Sequence, residues 1–188
     1  MPTRRSLLLA ALPFISAARA QSGLWPEWLG SYTGALRFHR SLPLHDIYPP
    51  PATLPVDRDD TAPFGLVFSI RVDDGAAAVW LRFDGGPMQT GDAGETMRFG
   101  TLSNGVATLT SFQAAATPRS ATLTARPESL GTEALFSFAD GSFWRRHFNA
   151  RFTSTGADVI VWVFDANGTR ARVWRGAAVK QPSRSADR

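Results

Sequence analysis

Apolar and polar residues alternate along most of the chain from Trp28 onwards. Between Phe64 and Asp73, every second residue is a large apolar side chain: Leu66, Phe68, Ile70 and Val72. The same alternation runs from Ala77 to Asp84. A period of two residues is typical of a strand with one buried and one exposed face, and no long stretch shows the period of a helix. The pattern therefore predicts a chain of β-strands.

Short turn signals separate the alternating stretches. They are Asp73-Asp74-Gly75, Ser103-Asn104-Gly105 and Ala166-Asn167-Gly168. Asp-Gly and Asn-Gly pairs favour tight hairpins because both residues adopt a positive φ at low cost. The sequence therefore predicts strands that are joined as antiparallel hairpins.

The remaining alternating stretches bring the total to about nine strands. They lie at residues 28–39, 120–126, 133–139 and 142–154. Closing an antiparallel meander into a barrel removes its exposed edges. We therefore expect an all-β, antiparallel up-and-down β-barrel of about eight to ten strands, with a β-sandwich as the alternative. The proline-rich segment Ser41–Pro63 and the glycine-rich segment Gly85–Glu95 are expected to be loops beside a binding mouth.

The first 20 residues have the pattern of a cleaved signal peptide. A charged start precedes an apolar stretch of about nine residues, which is far shorter than the roughly 20 that span a membrane, and Ala18-Arg19-Ala20 matches an A-x-A cleavage site. The Arg4-Arg5 pair favours twin-arginine export, with the general secretory pathway as the alternative. The sequence predicts a periplasmic protein with a single domain at residues 21–180, a disordered tail at 181–188, and no transmembrane segment after cleavage.

Removal of this leader changes the charge of the chain. The leader contains three arginines and no acidic residue, so the net charge falls from +4 to +1. Nucleic-acid binding needs a concentrated excess of Lys and Arg, which the remaining chain lacks. Cysteine is absent, which excludes disulfides and thiolate chemistry.

Several short motifs near the first and last strands resemble those of the calycin group, the lipocalin-like and fatty-acid-binding-like small barrels. Gly23-Leu24-Trp25 carries the Gly-x-Trp letters of lipocalins, and Gly30-Ser31-Tyr32-Thr33-Gly34 is similar to the opening of haem-binding barrels, with Tyr in the Trp place. Either Arg172 or Arg175, which flank Trp174, matches the closing arginine of the last strand. The resemblance implies a barrel that binds a small molecule.

The segment Phe143–Phe152 is the strongest candidate for a binding site. Read with a period of two, one face carries Trp144, Arg146, Phe148, Ala150 and Phe152, and the other carries Phe143, Arg145, His147, Asn149 and Arg151. An ordinary strand with a wet outer face explains this pattern. If the second face turned inwards, Arg145, His147 and Arg151 would hold an anionic ligand, because arginine binds carboxylates in a bidentate manner.

Another candidate surface lies on the strand that follows the first predicted turn. Trp80 and Arg82 point away from the apolar face of that strand. An outward tryptophan indicates either a patch for a partner or a reversed assignment of the two faces. Both residues are therefore included among the predicted ligand-binding residues.

Metal, haem and catalytic sites receive little support. His39, His45 and Asp46 match no metal-binding spacing, and no histidine follows His147, whereas the resemblance implies a late histidine for haem. Asp140, Ser142 and His147 suggest a triad, but Ser142 and His147 lie five residues apart and would point to opposite faces of one strand. No cofactor, metal or catalytic residue is assigned.

Together these features predict an exported barrel that binds a small apolar or anionic molecule. The alternative is a non-enzymatic interaction protein of the cell envelope, with a filled barrel and an envelope protein as its partner. A haem-binding barrel or an enzyme comes third. A continuous interior void of roughly 300 Å³ or more would favour the first function over the second.

Overall fold

The computed structural model describes residues 24–43, 62–86, 88–113, 118–137, 143–164 and 170–182. The predicted signal peptide and C-terminal tail, His45 and Asp46, and the proposed triad partners Asp140 and Ser142 lie outside these residues. So do most of the proline-rich segment and the third turn signal. The predictions about these parts of the chain stay predictions.

The described residues form ten antiparallel strands. They are β1 (Gly30–Pro43), β2 (Phe64–Asp73), β3 (Ala76–Asp84), β4 (Glu95–Phe99), β5 (Val106–Gln113), β6 (Pro118–Arg126), β7 (Ser129–Ser137), β8 (Phe143–Phe152), β9 (Gly156–Phe164) and β10 (Arg170–Lys180). Each strand pairs with its neighbours in sequence, and β10 pairs with β1. The sheet is therefore a closed up-and-down barrel, which confirms the predicted fold class.

The first two turn signals form the hairpins that the sequence predicts. Asp74 and Gly75 have φ values of 52° and 79° between β2 and β3. Asn104 and Gly105 have φ values of 51° and 77° between β4 and β5. Several predicted boundaries are wrong: β1 ends at Pro43 rather than at His39, and β7 begins at Ser129 rather than at Glu133. The tight Pro127-Glu128 turn allows pairing to start directly, with Arg126 opposite Ser129.

A short 3₁₀ helix closes the lower end of the barrel, the end where β1 begins and β10 finishes. It comprises Pro26–Trp28, and Trp28 is buried against the Phe152 ring at a centroid distance of 4.8 Å. The hydroxyl of Tyr32 donates a 2.9 Å hydrogen bond to the Trp28 carbonyl oxygen. Burial raises the pKa of Tyr32 to about 12. The indole and phenol rings therefore seal this end of the barrel.

The first and last strands approach each other closely where they close the sheet. Side chains at Gly34 and Gly176 would overlap the carbonyl oxygens of Ala177 and Ala35, respectively. Across the same seam, the ammonium of Lys180 lies 5.9 Å from the centroid of the Tyr32 ring. Lys180 thus lies over an aromatic ring of the first strand.

Apolar side chains fill the inner face of the barrel. Tyr32 stacks on Phe68 at 4.6 Å, and Phe68 meets Phe148 edge to face at 5.2 Å. Phe68 lies on β2 and Phe148 on β8, which are far apart around the barrel. Their contact therefore crosses the interior at mid-height and separates the residues above it from the sealed lower end.

Candidate functional site

The upper half of the barrel contains a buried ion pair. Arg146 lies on the inward face of β8 and is 6% exposed, and Glu95, at the start of β4, is 4% exposed. One guanidinium nitrogen of Arg146, Nη2, donates to Oε1 of Glu95. Three strands (β5, β6 and β7) separate β4 from β8 in one direction around the barrel, and five separate them in the other. The pair therefore connects distant parts of the barrel wall.

The two-residue alternation of side chains along β8 directs the Arg146 side chain into the barrel. Arg146 shares its face with Phe148 and Ala150, which are both buried. The β8 backbone continues without a bulge through its pairing with β7 and β9, so the alternation of side chains is preserved. The same register that buries Phe148 therefore also buries Arg146.

Aromatic rings surround the Arg146 guanidinium. Its carbon Cζ lies 5.4 Å from the centroid of the Phe83 ring and 5.0 Å from that of Phe136. Cations over aromatic rings are attracted by the negative ring face, and more strongly where water is excluded. Removing two charges from water is costly, and the ion pair and the rings offset part of that cost.

Two buried nitrogen atoms in the upper interior have no hydrogen-bond partner among the residues that the structure describes. They are Nε of Arg146 and Nε1 of Trp174. Trp174 is 1% exposed and packs on Phe38 and Phe64 at centroid distances of 5.8 and 6.3 Å. Phe64 in turn contacts Phe83, the ring below Arg146, at 6.3 Å. The two donors therefore belong to one continuous aromatic cluster.

Buried donors without acceptors are rare in folded proteins. Leaving such a group unsatisfied costs about 1–3 kcal/mol, so most are paired with protein, water or ligand. An arginine has five N–H donors, and Arg146 uses few of them in its bond to Glu95. The upper interior therefore offers unused donors among aromatic rings, an arrangement that suits an apolar molecule with a hydrogen-bond acceptor.

The predicted residues Arg145, His147 and Arg151 lie on the outer face of β8. Arg145 Nε lies 3.4 Å from Oε1 of Glu133, and Arg151 Nη2 lies 3.1 Å from Oε2 of Glu128. The hypothesis that these side chains line the interior is wrong, because the strand turns Arg146 inwards instead. Whether they bind a ligand on the outer face stays a prediction.

His147 lies between an acid and an aromatic ring. Its Nε2 lies 3.7 Å from Oε2 of Glu133, and its ring meets Phe164 at a centroid distance of 5.3 Å. Burial lowers the pKa of His147, an effect that Glu133 opposes and Arg145 supports. The imidazole is therefore shifted towards its neutral form.

Trp80 and Arg82 also lie on the outside of the barrel. Nε1 of Trp80 donates a 3.0 Å hydrogen bond to the Ala93 carbonyl oxygen, in the connection between β3 and β4. Arg82 lies 5.9 Å from the Trp80 ring and forms a 2.8 Å ion pair with Asp84. The connection packs against the indole, which accounts for a half-buried tryptophan on the outer face.

Neither Glu95 nor Trp174 was predicted from the sequence as a site residue. Glu95 shares the buried face of β4 with Met97 and Phe99, so an acid in register with core positions was the available signal. Trp174 resembled an ordinary core residue, and its unpartnered nitrogen has no counterpart in the sequence.

The described residues contain neither a metal-binding cluster nor a membrane-spanning helix. In that part of the chain, no group of three or more His, Asp or Glu residues is arranged to hold a metal ion. Likewise, no helix among these residues is long and apolar enough to cross a membrane.

Comparisons with known proteins leave the family open. No protein-family model matches the chain, and no curated protein matches it. Similar solved structures include a protein of unknown function from the DUF3598 family of Nostoc punctiforme PCC 73102, with 12% identity and a TM-score of 0.49 over 81% of this chain. The match covers 47% of that protein, so the chain spans about half its length.

A second similar structure is described as a "putative thioesterase II" from Thermobifida fusca YX. Its TM-score is 0.22 and its identity 12%, and the match covers 88% of this chain and 83% of that one. At these levels of similarity, neither structure bears on function. The assignment of the ten-stranded barrel depends on the strand pairing described above.

Proposed function

We propose that the chain is an exported, calycin-like barrel protein that binds a small, largely apolar molecule in the upper half of its interior. The observation that carries this proposal is the pair of buried, unpartnered donors on Arg146 and Trp174. An apolar ligand body contacts the aromatic cluster, and one acceptor group, a carboxylate or a carbonyl oxygen, receives hydrogen bonds from these donors.

The electrostatics of the site define how this acceptor is held. Glu95 balances the charge of Arg146 but occupies only part of its hydrogen-bonding capacity. A charge-assisted bond from guanidinium to carboxylate is stronger than a bond between neutral groups, particularly where water is excluded. A carboxylate gains this stronger bond but also meets the negative charge of Glu95, so a comparison with an uncharged ester of the same chain length measures which effect is larger.

A titration with decanoate, a carboxylate with an apolar tail, tests this site. Isothermal titration calorimetry measures its dissociation constant for the wild type, for Arg146→Met combined with Glu95→Gln, and for Arg145→Met. The first variant removes both charges, because a lone buried charge would destabilise the fold. Arg145→Met makes the same chemical change one residue away on the outer face. We expect at least about tenfold weaker binding in the double variant, which corresponds to about 1.4 kcal/mol, and unchanged binding in Arg145→Met.

The controls separate binding from folding. Circular dichroism and thermal unfolding of both variants establish that the barrel is intact. Equal loss of binding in the two variants, or full binding in the intact double variant, would contradict an interior site at Arg146. Methyl decanoate serves as the uncharged comparison for the acceptor group.

The exported location is a separate part of the proposal. It is supported by the charged, apolar and small-residue segments of residues 1–20. Expression of the full chain in a bacterial host, followed by fractionation and mass measurement, is expected to give a periplasmic protein that begins at Gln21. Replacing Arg4 and Arg5 with lysines is expected to block export if the twin-arginine route is used. A full-length protein retained in the cytoplasm would contradict the export proposal.

A filled barrel that acts as an interaction protein of the cell envelope is the second candidate function. The contact between Phe68 and Phe148 supports it, because this contact crosses the interior at mid-height. The same decanoate titration separates the two functions: a filled barrel takes up no ligand in the wild type, whereas a binding protein does.

A further inference from the structure

A hollow on the outer face of the barrel forms a second polar site, separate from the interior. Its volume is about 340 Å³, and it lies over strands β6, β7 and β8. The side chains around it include Thr122, Thr124, Glu133, His147 and Asn149, with Gly131 as its floor. Small-molecule sites occupy roughly 300–1,000 Å³, so the hollow suits a small ligand.

The strand register explains how the hollow forms. Thr124, Gly131 and Asn149 form one row across the three strands, and Thr122, Glu133 and His147 form the next. The second row has three side chains that project outwards. The first row has only two, because Gly131 has none. The gap in the middle of the row is the hollow.

Gly131 is unlike the glycines that the fold requires. Its φ is not in the left-handed region, and an added Cβ would lie 3.2 Å from Nδ2 of Asn149 and 3.5 Å from the Phe148 carbonyl oxygen. Asn149 is exposed, so its amide can move aside. At Gly34 and Gly156, by contrast, a Cβ would overlap backbone carbonyl oxygens. Glycine weakens a strand and often marks the close approach of a ligand or another backbone. The backbone atom nearest to the added Cβ, the Phe148 carbonyl oxygen, is only in ordinary van der Waals contact, so no close backbone approach requires this glycine.

The hydrogen-bonding groups around the hollow are mixed: hydroxyl, amide and imidazole groups lie beside one acid, Glu133, and one base, Arg126. In the described part of the chain, the side chains of Thr122, Thr124 and Asn149 make no hydrogen bond to protein. Hydroxyl and amide groups both donate and accept, as does a neutral imidazole. The Glu133 carboxylate is balanced by Arg145 at 3.4 Å. Such a surface fits neighbouring hydroxyl groups better than it fits an isolated ion.

We infer that this hollow binds a pyranose sugar unit, with the ring over Gly131 and its hydroxyl groups bonded to Thr122, Thr124, His147 and Asn149. Glu133 accepts a hydrogen bond from the sugar while it remains paired with Arg145. The inference is independent of the interior site, because it depends on outward side chains alone.

Two-dimensional ¹H–¹⁵N NMR of the mature chain tests the inference. The probes are glucose, galactose, mannose and N-acetylglucosamine, with inorganic phosphate as the anionic comparison. At least one sugar is expected to shift the amide signals of Thr124, Gly131 and Asn149, with a dissociation constant on the order of 1 mM. Gly131→Ser fills the hollow, and Thr124→Val removes a hydroxyl with little change of shape. Both are expected to weaken binding at least about tenfold.

A serine substitution on a strand far from the hollow serves as the control. Ala35→Ser adds a hydroxyl group to the exposed face of β1, away from the hollow, and is expected to leave binding unchanged. The dispersion of the NMR spectrum shows that each variant is folded. The inference is overturned if no sugar shifts these three amides, if folded Gly131→Ser binds as the wild type does, or if only phosphate causes the shifts.

Discussion

At the residue scale, the positions that indicate a site are polar residues on strand faces whose other side chains are apolar. Arg146 could be assigned to the apolar face of its strand from the sequence, because the period of two places it beside Phe148 and Ala150. Its partner could not be assigned. Glu95 is 51 positions away, and the two meet only because the sheet closes and brings β4 and β8 together.

His147 gives a prediction about pH. Burial lowers its pKa below the usual 6.5, so the unfolded chain binds a proton at a higher pH than the folded chain does. The contribution of His147 to stability is therefore present above pH 6.5 and is lost as the pH falls through the lower native pKa. Replacing His147 with glutamine is expected to flatten the decline of stability that begins near pH 6.5 and continues through the lower native pKa.

NMR titration and denaturant unfolding measure this effect. The imidazole signal of His147 is expected to titrate with a midpoint below 6.5, and His39→Gln serves as the control for loss of a histidine elsewhere. Glu133, Arg145 and Phe164 all lie close to the ring, so their signals follow the same titration. A midpoint at or above 6.5, or an unchanged decline of stability in His147→Gln, would contradict the assigned environment.

At the element scale, alternation and turn chemistry predicted the strands and their hairpins. The alternation from Phe64 to Asp73 identified a real strand with the expected buried face, and Asn104-Gly105 formed the expected turn. The same pattern could not show whether a ligand contacts the polar face of β8. Periodicity separates two faces but does not state which one a ligand contacts. The contact between Trp80 and the connection from β3 to β4 could also not be predicted, because it depends on how that connection folds back against the indole.

The strand glycines give a prediction at this scale. Gly176→Ala is expected to destabilise the barrel by about 3 kcal/mol, because its Cβ would overlap the Ala35 carbonyl oxygen where β1 and β10 meet. Gly131→Ala is expected to be neutral or to stabilise by up to about 1 kcal/mol, since alanine suits a strand better than glycine. Urea unfolding of the two variants measures both effects. Equal stability of the two variants would mean that the seam between β1 and β10 is looser than described.

At the scale of the whole molecule, a short helix and aromatic rings seal one end of a closed barrel, while the other half contains polar atoms among aromatic rings. Trp28, Tyr32 and Phe152 form the seal. Arg146, Glu95 and Trp174 define the polar part of the upper half. The lower rings complete the core, whereas the upper donors have no acceptor among the described residues, and the proposed ligand would supply one.

The central claim is that the upper interior holds a small molecule. Native mass spectrometry of the mature protein, purified from the periplasm without denaturation, tests it most directly. The account predicts a mass above that of the polypeptide, with the excess released on denaturation and absent from the folded Arg146→Met, Glu95→Gln double variant. A wild-type protein that has the mass of the polypeptide alone, and that does not gain mass when decanoate is added, would contradict it.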